Sequence, residues 1–178
     1  MIFSSSSKDK VREYKTLLGK NITIIDDGKD LPEVNGTMDE VIVHKSIDAG
    51  KGMLVEDTIL IIDGIEVVTI RWNQEDKMKN AKTAQWVVSL AYNDGEKIFV
   101  YRGIINGTIV SPVGTGFGFD PYFLPENSEL TLAQLDQRGK KEAYSARKLA
   151  VIKLQDKKPV IVSAIADIPT WIGDYQKD

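Results

Sequence analysis

Three β-branched runs constrain this chain more than anything else in it: "MLVEDTILIID" from Met53, "TAQWVVSLAY" from Thr83 and "KIFVYRGII" from Lys97. Runs this rich in Val and Ile read as buried strands, and the "NDGE" joining the last two has the Asp-Gly chemistry of a hairpin turn. Such strands demand a twisted sheet with covered faces. The cover is available. "KVREYKTLLG" places Val11, Tyr14 and Leu18 on one helical face and stops at Gly19. Thr37 and Glu40 form a capping-box pattern that opens a second helix running to about Gly50. "QEDKMKNAK", "LTLAQL" and "SARKLAVIKLQ" read as further helices, and Met1–Phe3, "NITII", "IEVVTIRW" and "PVIVSAIA" as further strands. Asn106-Gly107 reads as a tight turn before "TIV", which would complete an antiparallel meander. With no repeat and no Gly/Ser/Pro-rich linker, the expectation is one mixed α/β domain over residues 1–178.

Composition then removes whole classes of function. The chain has no cysteine, so disulfides, thiolate zinc sites and cysteine nucleophiles are excluded together. Its one histidine, His44, cannot build a His-rich metal site. A net charge of −3 argues against duplex nucleic acid as partner, because such binders carry a basic face. No run approaches a membrane span or a signal peptide, and a reducing cytoplasm is the expected location. Carboxylates, lysines and a hard metal ion are the tools that remain.

Four stretches carry those tools. In "SSSSKDK", hydroxyls and free backbone N–H groups at a helix start, followed by Lys8 and Lys10, suit a phosphate, although plain N-capping explains serines equally well. Lys45 shares a helical stripe with Met38, Ile42 and Ala49, which allows either a lysine snorkelling from the core edge or one aimed into a cleft. Glu56 and Asp57 sit at the end of an apolar strand segment, and Glu33 lies on a loop held by Pro32 and Gly36; paired carboxylates of this kind suit Mg²⁺ with phosphates filling its other positions. In "VGTGFGFDPYF" the glycines mimic a dinucleotide fingerprint, but no helix opens behind them, since Pro121 follows and biases Asp120 toward extended geometry. Phe117 and Phe119 are either core residues or rings for a nucleobase, with Asp120 to accept from base N–H groups.

The order "SSSSKDKVREYKTLLG", "DLPEVNG", "LVEDT", "FGFDPYF" and "KKEAYSARKLAVIKL" resembles the inosine triphosphate pyrophosphatase family over most of the chain. The resemblance implies an elongated domain with a central twisted mixed sheet and a cleft between two lobes. It implies Mg²⁺-dependent hydrolysis of non-standard purine triphosphates such as ITP, dITP and XTP to the monophosphate and pyrophosphate. It assigns phosphate binding to Ser5, Ser6, Ser7 and Lys10, metal binding to Glu33 and Asp57, and catalytic roles to Lys45 and to Asp57, with Glu56 beside it and Thr58 following. Phe117, Gly118, Phe119, Asp120, Lys141, Ser145, Ala146 and Arg147 fall on its base-binding positions. Three departures stand out: Ser5-Ser6-Ser7 replaces T-G-N, Ser145-Ala146-Arg147 replaces S-H-R, and the glycine-rich stretch that usually follows the aspartate is missing, which leaves a homodimer open. The alternatives are a pyrophosphatase of the same fold with altered base choice, such as a modified or pyrimidine nucleotide, and a nucleotide-binding module without turnover.

Overall fold

The computed structural model describes residues 1–20, 22–25, 30–70 and 74–177. In chain order the elements are β1 (Ile2–Ser4), α1 (Lys8–Leu17), β2 (Thr23–Ile25), α2 (Met38–Ala49), β3 (Met53–Ile62), β4 (Ile65–Val67), α3 (Gln74–Met78), β5 (Thr83–Asn93), β6 (Lys97–Ile109), β7 (Phe123–Pro125), α4 (Leu132–Gln137), α5 (Ala146–Gln155) and β8 (Ile161–Ala164). The eight strands form one mixed sheet in the order β2-β1-β3-β5-β6-β7, with β4 added to β3 and β8 to β6. β1 runs parallel to both neighbours, while β3, β5 and β6 form the long antiparallel centre. The mixed α/β expectation holds.

Each face of the sheet buries one of two cores. Leu54, Trp86, Val88 and Leu90 pack with Tyr14 of α1, Leu132 of α4 and Ala150 of α5. On the opposite face Val55, Ala91, Ile98 and Val100 meet Ile42 and Val43 of α2. Strand pleating sends successive side chains to opposite faces, so in "LVEDT" Glu56 and Thr58 follow Leu54 toward α1 and α5, whereas Asp57 follows Val55 toward α2. One acidic pair therefore serves two sides of the sheet.

Local signals fared well where local chemistry decides. The Thr37–Glu40 capping box is complete, with Thr37 Oγ accepting from the Glu40 N–H and Glu40 Oε1 accepting from the Thr37 N–H. Three expectations need correction. Asn106-Gly107 is not a turn: β6 runs straight through it, Asn106 pairs with Gln85 across to β5 at 2.7 Å, and Phe123 lies so close over Gly107 that an added Cβ would stand 2.7 Å from the ring. The glycine serves close packing there. "IEVVTIRW" contributes only the short β4, with Ile65 69% exposed, and its Arg71 and Trp72 lie outside the described residues. Asp120 opens a single 3₁₀ turn, Asp120–Tyr122, because a proline in a first helical turn gives up an N–H that would go unpaired anyway.

Candidate active site

Between the N-terminus of α1, the middle of β3, α2 and the loop before β7 lies a cavity of about 210 Å³. Its walls bring together most of the residues singled out in the sequence: Ser5, Ser6, Ser7 and Lys10 from the first loop and helix, Glu33 and Lys45 from the second, Glu56, Asp57 and Thr58 from β3, and Phe117, Gly118, Phe119, Asp120 and Arg147 from the far side. Lys141, Ser145 and Ala146 do not line it. Lys141 reaches the wall through Asp120, Ser145 is the N-cap of α5 and accepts from the Lys148 N–H, and Ala146 is wholly buried in the core.

The α2 side is a compact charge cluster. Lys45 Nζ donates to Glu33 Oε1 and to the Glu56 carbonyl, both at 3.0 Å, so the lysine turns into the cleft and does not merely cover the core edge. Burial disfavours its ammonium, yet Glu33 and Asp57 more than offset this and hold its pKa above the ordinary value. Asp57 is 7% exposed. Burial raises its carboxyl, the neighbouring charges of Glu33 and Glu56 raise it further, and Lys45 and Lys10 oppose; the outcome is a pKa pushed up to about 7. A carboxyl that exchanges its proton near neutrality is suited to general-base work.

Glu56 is held in the opposite state. Its Oε1 meets Lys10 Nζ at 3.0 Å and the Thr58 hydroxyl at 2.7 Å, and its Oε2 accepts from Arg147 Nε at 2.9 Å. Burial alone would raise its pKa, but Lys10 and Arg147 outweigh it and keep the carboxyl well below the usual range. Both oxygens are occupied by cations and a hydroxyl. From there the chain of charges continues: Arg147 Nη1 meets Glu13 Oε2 at 3.0 Å, Glu13 Oε1 meets Lys141 Nζ at 2.8 Å, and Lys141 meets Asp120 Oδ2 at 2.7 Å. Cation and anion thus alternate from the serine loop to the aromatic loop. Glu13 is the member that sequence reading missed, since a glutamate on an amphipathic helix looks like ordinary surface charge; its position three residues after Lys10, one helical turn on, was the available signal.

The aromatic loop divides the work of its two rings. Gly118, at φ +59°, takes the left-handed turn, and Phe119 packs inward with Trp86 and Phe123, each centroid 6.1 Å away. Phe117 stays half-buried at the cavity, 4.8 Å from Lys141 Nζ and 5.5 Å from the Arg147 guanidinium carbon. At the other end, Ser7 caps α1 by accepting from the Lys10 N–H, Ser5 Oγ accepts from the Ser7 N–H, and Ser6 donates to Asp30. Among the described residues no group of three or more His, Cys, Asp or Glu side chains is gathered as a metal cage, and no helix is long and apolar enough to cross a membrane.

A cleft with hydroxyls and lysines at one end, an aromatic ring with paired charges at the other, and carboxylates between them is an arrangement that suits a nucleotide. The Ham1 family model matches residues 1–157, and the chain belongs to that family. Among curated relatives, the inosine triphosphate pyrophosphatase of Schizosaccharomyces pombe is 31% identical over 176 residues, covering 88% of this chain and 93% of that protein. The protein of the same name from Fusarium vanettenii is 33% identical over 173 residues, covering 86% and 92%. Inosine triphosphate pyrophosphatases are hydrolases acting on nucleoside triphosphates. The fold is shared with the solved Ham1 proteins of Staphylococcus aureus (TM-score 0.68, 24% identity) and Coxiella burnetii (TM-score 0.69, 23% identity), each match covering 88% of this chain and 96% of the other.

Proposed function

We propose that this protein cleaves non-standard purine nucleoside triphosphates (ITP, dITP, XTP) between the α and β phosphates, releasing the monophosphate and pyrophosphate. The observation that carries the reading is the convergence of Lys10, Lys45 and Asp57 on one end of a cavity whose other end holds Phe117 and Asp120. Triphosphate and base would then lie along the cleft in that order. Ser5, Ser6 and Ser7 donate to phosphate oxygens, and Lys10 and Lys45 offset charge growing on them, an effect stronger in a water-poor cleft than in bulk solvent. Asp57, on the cavity wall with Lys45 and Glu33, accepts a proton from the attacking water. Glu56, saturated by Lys10, Thr58 and Arg147, is better placed to aim those cations than to share the base role.

The donor set fits Mg²⁺. Glu33 and Asp57 offer oxygen ligands only, and two carboxylates leave room for phosphate and water oxygens in an octahedral shell. A bound Mg²⁺ would supply charge neutralisation on the phosphates. At the base end, Phe117 stacks on the ring, and Asp120, held by Lys141, faces the polar edge. Ala146 and Ser145 stand behind that wall, which favours a second reading in base choice alone: weaker discrimination among purines. A panel of nucleoside triphosphates assayed for pyrophosphate with Mg²⁺, and again with EDTA, tests both. Pyrophosphate release stopped by EDTA is expected, and stepwise release of orthophosphate would overturn the proposal.

A further inference from the structure

The family match ends at residue 157, and what lies beyond it returns to the active site from behind. After β8 pairs with β6, Ile165 and Ile168 pack against the α2-side core. The backbone then crosses the loop that carries Glu33. Val34 forms an antiparallel bridge with Tyr175, the Asn35 N–H donates to the Asp174 carbonyl at 2.9 Å, and the Gln176 N–H donates to the Glu33 carbonyl at 2.8 Å. The Gln176 amide adds a bond to the Val34 carbonyl at 3.2 Å. Trp171 donates to the Asp174 carbonyl at 3.0 Å and stands edge-on to His44 of α2 at 5.4 Å. Its ring so fills the space beside Gly36 that a Cβ there would come within 2.8 Å of it.

We propose that residues 168–177 are a clamp, lying outside the family match, that fixes the Glu33 loop for cation binding, with Trp171 and Gln176 as its positioning residues. The inference rests on the reading of Glu33 as a metal ligand. Glu33 is 5% exposed and has its carboxylate on Lys45, so its usefulness depends on the backbone that presents it. Proline at 32 restricts the loop ahead of Glu33, while the bridge to Tyr175 ties down the residues between it and Gly36. Partners behind a metal ligand commonly matter about 10- to 100-fold in metal affinity, because they set the ligand's orientation.

The test uses the full chain and Mn²⁺ as the probe. Gln176→Pro removes the N–H that bonds Glu33 and leaves Tyr175 in the extended geometry it already has; Trp171→Ala removes the packing on Gly36. Each is expected to weaken Mn²⁺ binding, and the pair together by about tenfold or more, with amide exchange at Asn35 speeding up and the global melting temperature changing little. Ile172→Ala, at a side chain 98% exposed, should match the wild type. Glu33→Gln separates the two ideas. If it binds Mn²⁺ as tightly as the wild type, the metal reading of Glu33 falls and takes the clamp's role with it. If it binds weakly while the clamp variants bind normally, or if those variants lose Mn²⁺ only in step with global unfolding, the clamp alone is overturned.

Discussion

Replacing Asp57 by Asn should stabilise the metal-free protein while abolishing turnover. The carboxyl rises from an ordinary 3.8 to about 7 because burial and the charges of Glu33 and Glu56 outweigh Lys45 and Lys10. At about 1.4 kcal/mol for each tenfold change in proton affinity, ionising Asp57 costs the folded state about 4 kcal/mol at pH 8. The sign follows from the direction of the change. Below about pH 4 the group is protonated whether the chain is folded or not, and no cost exists; the cost grows as pH rises toward about 7 and is complete above it. Asn mimics the neutral acid in size and removes the cost. In EDTA at pH 8, Asp57→Asn should therefore melt about 8–16 °C higher than the wild type, given about 2–4 °C per kcal/mol for a chain of this length. At pH 5 the gain should fall to about 2 kcal/mol. Thermal melts across that range, with pyrophosphate release measured alongside, decide the matter. A variant no more stable than wild type at pH 8, or a gain independent of pH, would refute the reasoning.

Lys45→Met should cost both activity and stability, because it leaves the buried Glu33 carboxylate without its ammonium; about 3–5 kcal/mol at pH 8 is expected from denaturant titration, and an unchanged midpoint would place Lys45 outside the cluster. Ala146→His should not restore a family-like base preference: residue 146 is fully buried, so the larger ring must displace core at a cost of about 1–3 kcal/mol. A stable variant with a sharply higher ITP-to-ATP ratio of kcat/KM would show that position 146 does reach the base.

How much was legible depended on the range of the physics involved. The Thr37–Glu40 capping box, the helix stop at Gly19 and the strand character of 53–62 and 83–93 are written in neighbouring residues, and they stand as read. The family motifs likewise located the two walls of the cleft. Asn106-Gly107 misled because its hairpin chemistry is local, while the length of β5 beside it and the Phe123 ring above it are not. Glu13 was missed for the same reason: its partners lie 128 and 134 positions away and meet it only where α1 approaches α5 and the turn before it. Sequence alone determined the tools, since composition leaves carboxylates, lysines and hydroxyls and the pleat of "LVEDT" must send Glu56 and Asp57 to opposite faces. Tertiary structure decided what each carboxylate became. Two cations saturate Glu56 on one face and hold its proton off, whereas burial beside Glu33 on the other face keeps Asp57 near its titration point; that difference arises from packing between elements far apart in the chain, which no local pattern encodes.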